Sequence, residues 1–305
     1  MRDGAKAVSR SRASAGEQPN HSPTGSKPDP GLYLVSTPIG NLDDITLRAL
    51  KLLAAADCIA CEDTRVSGRL LSLLGIRPTA LTPYHEHNAE RARPALLARL
   101  HQGQVVALIS DAGTPLLSDP GYRLVRACLA EGLPVSSLPG ASAALTGLQL
   151  SGLPCDRFLF AGFLPVKTAA RRSQLGELAA VPGSLIFYES PRRLAATLTD
   201  MAAVLGPRDA AVARELTKLY EEVRRGSLAE LAAHYAAAGP PKGEVVLVVG
   251  PPGPAAVAGP DELDHRLTEA LAELSPRDAA AAVAAATGLP KRQVYARAIL
   301  LAKSR

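Results

Sequence analysis

Tryptophan is absent from this 305-residue chain, and tyrosine and phenylalanine bring the aromatic content only to 4%. A surface that reads nucleic acid by extensive base stacking is therefore disfavoured; at most Tyr84, Phe187 or Tyr188 stacks a single flipped-out base. Cysteine is scarce as well. Cys58, Cys61, Cys128 and Cys155 lack the paired-pair spacing of a zinc site and the density of a secreted disulfide scaffold. Cys58 and Cys61 do form a CxxC, but they lie in a largely apolar stretch with no second pair, so a core role is expected for both. No apolar run reaches the ~18 residues that a membrane helix needs. Residues 1–30 are rich in Ser, Gly, Pro and Arg without an apolar centre, which disfavours a secretory signal and predicts a disordered, dispensable leader on a cytoplasmic protein. Charge is modest, 21% of residues with a formal net charge of +5, which fits a polyanionic partner and an ordinary enzyme equally well. The 47% of hydrophobic residues is enough for one large core or two modest ones.

Short apolar runs that read as strands occur at residues 32–36, 105–110, 135–138, 158–162, 184–188, 210–214 and 245–250. Among the first of them, residues 45–55, 94–101 and 122–131 repeat apolar positions at helical spacing, with Gly103 and Gly132 just past the last two helices. The alternation predicts an α/β architecture, β-α-β-α-β in the first half and repeated in the second. A Gly- and Pro-punctuated stretch at 151–156 sets a boundary, giving expected domains at 31–152 and 153–250 and a Pro-, Gly- and Ala-rich linker at 251–260. Residues 261–305 read as helical. Ser275 is the expected N-cap and Pro276 the first helical position of a helix over 277–286, followed by Thr287-Gly288-Leu289 and a helix from Pro290. From Lys291 onward come Lys291, Arg292, Arg297, Lys303 and Arg305 and no acidic residue, which makes either a phosphate-contacting surface or the solvated face of a packing helix pair.

Three glycine-bearing loops each follow a strand of the first half, where ligands of open α/β sheets sit. They are residues 36–42, residues 110–121 and residues 139–144. The second is long and polar beyond what a connection needs, and the small residues of the third let backbone approach a ligand at a helix start. None matches GxGxxG or a Walker sequence, which disfavours nicotinamide and nucleoside triphosphates. Tight turns without a ligand are the plainer alternative.

Longer motifs carry a resemblance. The run Leu32-Tyr33-Leu34-Val35-Ser36-Thr37-Pro38-Ile39-Gly40-Asn41-Leu42-Asp43-Asp44-Ile45-Thr46, the segment Cys61-Glu62-Asp63-Thr64-Arg65, the 110–121 loop, Phe187-Tyr188-Glu189-Ser190-Pro191-Arg192-Arg193, Arg214-Glu215-Leu216-Thr217-Lys218 and Lys242-Gly243-Glu244 resemble the tetrapyrrole methylase-like family. The likeness is greatest to the branch that acts on small-subunit ribosomal RNA. It spans roughly residues 31–250, and the C-terminal helix pair is similar to that branch's tail. The resemblance implies a two-domain α/β fold with a small helix-turn-helix-like segment and a homodimer. It also implies S-adenosyl-L-methionine held between the domains and 2′-O-methylation of a decoding-region cytidine in 16S ribosomal RNA. The substrate is expected in the assembled 30S particle, with no membrane and no metal involved. Cofactor contacts are implied for Ile39, Asp111, Ala112, Gly113, Thr114, Leu117, Ser142, Ala143, Glu189 and Leu216. Thr114 stands where the tetrapyrrole enzymes have Asp and Pro38 where they have Gly, departures that fit the RNA branch and weaken a porphyrinoid reading.

Methyl transfer from a sulfonium is an in-line displacement, so the protein must hold a hydroxyl behind the methyl and accept its proton. Glu62, Asp63 and Glu189 are the foremost candidate catalytic groups, with Glu86, His85 and His87 also possible; an ion pair such as Asp63 with Arg65 is the alternative for each carboxylate. Arg65, Arg192, Arg193 and Lys242, together with Lys291 and Arg292, are candidate phosphate grips or else solvated surface charges. Two rival functions remain: a small-molecule methylase on the same fold, and a non-catalytic RNA-binding assembly factor.

Overall fold

The computed structural model describes residues 27–253, 260–287 and 289–303. Most of the expected leader, most of the expected linker and Gly288 of the expected turn lie outside the described residues. The first half is a five-stranded sheet of β1 (Gly31–Val35), β2 (Cys58–Cys61), β3 (Leu81–Pro83), β4 (Val105–Ile109) and β5 (Val135–Leu138) in the order β3-β2-β4-β1-β5, with every pairing parallel. Its helices are α1 (Leu47–Ala55), α2 (Thr64–Leu73), α3 (Ala89–His101), α4 (Tyr122–Ala130) and α5 (Ala143–Ser151).

A parallel sheet covered on both faces needs strands that are apolar throughout, and β4, Val-Val-Ala-Leu-Ile, is buried at every position. Its side chains alternate: Val105, Ala107 and Ile109 pack with Leu52, Leu53 and Leu71 of α1 and α2. Val106 and Leu108 pack on the other face with Leu96, Leu100 and Leu124 of α3 and α4. Two of the helices are capped by side chains. Thr46 accepts from the Ala49 N–H at 3.1 Å at the start of α1, and Asp63 accepts from the Arg65 N–H at 2.8 Å at the start of α2.

The first half therefore holds two strands and three helices more than the expected β-α-β-α-β. β2 escaped because its four residues continue the apolar pattern of α1 and supply too few positions to show period two. β3 is only three residues long and ends in proline. Cys58 and Cys61 are buried in the core, as expected.

The second sheet is mixed. β6 (Phe158–Phe163), β7 (Ser184–Glu189), β8 (Asp209–Arg214), β9 (Glu222–Ser227) and β10 (Val245–Val249) lie in the order β6-β7-β10-β8-β9. β6 pairs parallel to β7, β10 runs antiparallel to β7 and β8, and β8 and β9 form an antiparallel pair. The simple alternation expected here fails at β9, whose sequence Glu-Val-Arg-Arg-Gly-Ser carries the charge typical of an edge strand. Helices α6 (Thr168–Leu178), α7 (Leu194–Leu205) and α8 (Leu228–Ala238) cover one face through Leu175, Leu198, Met201 and Leu231.

The opposite face takes α5, which belongs by sequence to the first half. Ala144 and Leu148 of α5 pack on Ile186, Ala213, Val246 and Val248, joining the two halves. A Cβ at Gly147 would stand 2.8 Å from Val246 Cγ1, so only glycine lets α5 sit this close to β10.

The tail has three helices, α9 (Pro260–Glu273), α10 (Pro276–Thr287) and α11 (Lys291–Lys303), packed through Leu263, Leu267, Ala280, Val283, Val294 and Ala298. Ser275 caps α10 as expected, accepting from the Asp278 N–H at 3.2 Å. The expected helices over 277–286 and from Pro290 are α10 and α11, and α9 lies in the stretch expected to be helical without bounds of its own.

Candidate active site

The three strand-end loops meet. Thr37 and Gly113 exchange backbone hydrogen bonds of 2.9 and 3.1 Å, forming an isolated bridge between the first loop and the second. Thr37 Oγ1 donates to the Ser110 carbonyl at 3.2 Å, and Thr114 Oγ1 donates to the Ala141 carbonyl of the third loop at 3.0 Å. Thr114 thus stitches two loops together, a role for the residue at which this sequence departs from the tetrapyrrole enzymes. Gly113 has φ +80°, and a Cβ there would lie 3.1 Å from Ile39 Cγ2.

From the second half, the turn after β8 closes over the first loop. Asn41 N–H donates to Thr217 Oγ1 at 3.1 Å, and a Cβ at Gly40 would lie 2.5 Å from Lys218 Cγ. Lys218 Nζ holds Glu215 at 2.9 Å and Glu244 at 3.0 Å, and this pairing keeps the Glu215 carboxyl below its ordinary range. Among the described residues the non-glycine positions with left-handed backbone are Leu116, Ser118, Glu215 and Thr217. They flank Leu117 and Leu216 in two turns of one cavity, and unfavourable backbone of this kind concentrates where a loop must present particular groups.

That cavity has a volume of about 400 Å³, within the range of small-molecule sites. Ile39, Asp111, Ala112, Gly113, Thr114, Leu117, Ala143, Glu189 and Leu216, all expected at a cofactor site, line it together. Ser142 lies just behind, buried at the N-cap of α5 with its hydroxyl lacking a hydrogen-bond partner.

The candidate catalytic groups separate. Asp63 is tied to Arg65 by 2.6 and 3.1 Å contacts, and the guanidinium and the helix-start N–H hold its carboxyl far below the ordinary range. Glu189 is buried on the cavity wall, accepting from Thr197 Oγ1 at 2.6 Å and the Ser190 N–H at 2.7 Å and pairing with Arg193 at 3.3 Å. Glu62 lies outside the lining, its carboxyl raised first by burial and then by Asp111. The His85 and His87 rings stand edge to face with centroids 6.2 Å apart, and among the described residues no group of three ligands suits a metal ion.

Asp119 and Phe163 on the cavity wall were not among the expected site residues, and Tyr188, expected at most to stack a flipped-out base, lines the wall with them. Burial, then the nearby Glu62 charge, push the Asp119 carboxyl up to about 6. It stood in view within the second loop, but a carboxylate in a polar turn carries no sign of which way it faces. Phe163 and Tyr188 arrive from the second sheet, so only the fold brings them here.

The basic candidates do not converge. Arg65, Arg192, Lys242, Lys291 and Arg292 are exposed, with Lys242 on a separate cleft beside Arg214, Tyr220 and Arg224. Arg193 differs from them: besides Glu189 it donates to the Leu164 carbonyl at 2.7 Å and the Pro165 carbonyl at 3.3 Å, so its guanidinium holds the loop after β6.

The profile of the Tetrapyrrole (Corrin/Porphyrin) Methylases matches residues 31–232, and that of the RsmI C-terminal HTH domain matches residues 257–302. A protein of Mesorhizobium japonicum named ribosomal RNA small subunit methyltransferase I is 57% identical over 274 residues, covering 90% of this chain and 92% of its own. One of the same name from Escherichia coli O157:H7 is 47% identical, covering 87% of this chain and 93% of its own. Among solved structures, uroporphyrin-III C-methyltransferase of Thermus thermophilus, complexed with S-adenyl homocysteine, superposes with a TM-score of 0.52 at 21% identity over 72% of this chain and 97% of its own. Diphthine synthase superposes with a TM-score of 0.56 at 16% identity over 72% of this chain and 89% of its own. The chain belongs to the tetrapyrrole (corrin/porphyrin) methylase family, in its ribosomal RNA small subunit methyltransferase I branch.

Proposed function

We propose that this methyltransferase uses S-adenosyl-L-methionine to methylate the ribose 2′-hydroxyl of a cytidine in the decoding region of small-subunit ribosomal RNA. The observation that carries the reading is the single cavity closed by three strand-end loops of one sheet and the Leu216 turn of the other. The residues fit the cofactor. Gly113 leaves room for backbone to approach, and Ile39, Leu117, Ala143 and Leu216 offer apolar walls for an adenine. When bound, the cofactor supplies an electrophilic methyl on a sulfonium.

The chain's own groups do the positioning. Glu189 and Arg193 lock the strand ends and the loop behind Phe163, while Lys218 clamps Glu215 and Glu244 on the opposite rim. Arg192, Lys242, Lys291 and Arg292 are exposed for phosphate, whereas Arg65 is paired with Asp63 and Arg193 acts through the loop it holds. Sparse aromatics favour an acceptor presented by a folded particle, the assembled 30S subunit, over a long sequence read base by base. A cytoplasmic homodimer acting without metal belongs to the same proposal and rests on the resemblance. Among the described residues no helix is long and apolar enough to cross a membrane.

The test is mass spectrometry of ribosomal RNA nucleosides from cells with and without the protein. One 2′-O-methylcytidine per small-subunit RNA, lost on deletion, is the expected result. A methyl on the base, or transfer to a tetrapyrrole at a comparable rate, overturns the reading.

A further inference from the structure

β6 breaks the alternation of a regular strand, and the break aims one side chain. Its pairing with β7 runs from Phe160 opposite Ile186 to Gly162 opposite Phe187, so Ala161 is an extra residue in a parallel ladder, where bulges are rare. Leu159 and Ala161 pack on the face covered by α6, α7 and α8, and Phe160 packs on the face that takes α5. Continued regularly, the strand would place Phe163 on the first of these faces, beside Leu159 and Ala161. The extra residue, followed by Gly162 in left-handed backbone at φ +64°, turns it to the second. Phe160 and Phe163 therefore both meet the Tyr188 ring, at centroid distances of 4.9 and 5.6 Å and interplanar angles of 66° and 62°.

Phe163 is held in place yet left open. Arg193 donates to the Leu164 and Pro165 carbonyls, and Arg171, buried and paired with Asp200, donates to the Pro165 carbonyl at 3.4 Å and the Val166 carbonyl at 3.0 Å. Both guanidiniums fix the segment that follows the strand. Even so, Phe163 is 56% exposed while it lines the cavity. A ring aimed by a bulge, steadied by arginines and still wet is not core; its place at the cavity mouth suits a partner that arrives from solvent. No other candidate ring competes with it. Tyr84 and Phe187, which the sequence offered for stacking, are fully buried, and Tyr188 is half-buried against Phe160 and Phe163.

We propose that Phe163 is the platform on which the base of the acceptor nucleotide stacks, an inference that rests on the methyltransferase reading above. A ribose whose 2′-hydroxyl is to meet a methyl inside the cavity brings its base along, out of the stack it occupied. Unstacking costs free energy, and an aromatic face at the rim offsets part of that cost through a contact every base can make. The ring offers no hydrogen bond, so it holds the nucleotide without choosing which base is held. The walls divide accordingly: Ile39, Leu117, Ala143 and Leu216 are aliphatic and suit the cofactor, whereas the aromatic rings, Phe163 and Tyr188, both come from the second sheet.

The experiment uses the full chain with purified 30S subunits at limiting concentration in single-turnover transfer, alongside calorimetry with S-adenosylhomocysteine and a thermal melt. Phe163→Ala should slow transfer about fivefold or more, the loss expected for one stacked base. Phe163→Leu keeps an apolar contact with Tyr188, and hence the melting temperature, and should lose most of that rate as well. Phe163→Tyr, which keeps the ring, should retain it. In all three the dissociation constant of S-adenosylhomocysteine should stay within about twofold of the parent's. Val166→Ala, in the same segment but off the cavity wall, should transfer at the parental rate. Phe163→Leu at the parental rate would mean that apolar bulk suffices and overturns the proposal. So does weakened S-adenosylhomocysteine binding, which would put the ring on the cofactor, and so does an equal loss in Val166→Ala, which would put the effect in the segment as a whole. A parent that binds the cofactor but transfers nothing to the RNA overturns the methyltransferase reading and this proposal with it.

Discussion

Gly113→Val tests whether the second loop is shaped for a ligand, and its size can be worked from the backbone. Gly113 sits at φ +80°, where a residue with a Cβ costs about 1–2 kcal/mol and a β-branched one more. It cannot rotate away freely, because its N–H and carbonyl both bond to Thr37, at 3.1 and 2.9 Å. Breaking that bridge costs about 1 kcal/mol per hydrogen bond. The new Cβ would also press on Ile39 Cγ2 at 3.1 Å, and Ile39 is itself on the cavity wall. The two costs are alternatives, about 1–2 kcal/mol if the backbone keeps φ +80° and about 2 kcal/mol if both bonds break. If the loop keeps its shape, the cost appears as lost stability. If the loop relaxes, it appears in cofactor affinity as a weakening of about 30-fold or more. Calorimetry with S-adenosylhomocysteine and a denaturant titration on the same preparation measure both. Gly113→Ala should show a smaller effect of the same sign, since it lacks the branching methyls. Unchanged affinity and unchanged stability in the valine variant would refute the argument.

The Asp119 carboxyl, raised to about 6 first by burial and then by the Glu62 charge, makes a stability contribution of opposite sense to a salt-bridged one: relative to neutral pH it favours the folded state below its unfolded value of 3.8, and that gain is lost as pH rises to about 6. Asp119→Asn should remove that part of the pH profile in denaturant titrations, and a profile superposable on the parent's from about pH 4 to 7 would refute it. Glu189→Ala should lower stability by about 1–3 kcal/mol or more, because Thr197 Oγ1 and the Ser190 N–H lose their acceptor and Arg193 its ion-pair partner; a melting curve superposable on the parent's would show the network to be idle. Lys291→Ala with Arg292→Ala should weaken binding to 30S subunits and reduce the log–log salt slope by about 1.5, whereas Arg297, already paired with Asp264 at 2.6 Å, should contribute less; identical slopes would remove α11 from the RNA surface.

Much of this protein was legible in the chain because the deciding physics was local. The buried runs of β4 and β10 are too apolar and too short for anything but central strands. Ser275-Pro276 announces a helix start whatever surrounds it, and the loops at Gly40, Gly113 and Gly140 follow strands closely enough to mark a ligand edge. Motifs spread over most of the chain carried the family. Local pattern failed where an element is defined by its partners. β2 is a strand because β4 offers it hydrogen bonds, β3 because β2 does, and β9 because β8 does, despite a sequence that would suit a solvated turn.

Tertiary structure alone decided the surroundings of the carboxylates that have no partner nearby in the sequence. Asp63 and Asp119 are the same residue type in polar loops, yet one is neutralised by an arginine two residues away and the other is desolvated on a cavity wall. Likewise Arg192 and Arg193 are neighbours, one exposed and one locked onto the Leu164 and Pro165 carbonyls. Burial and charge depend on which distant segments come to lie beside a group, and the packing of α5 onto the second sheet, through the close approach at Gly147, joins the two halves whose loops line the cavity.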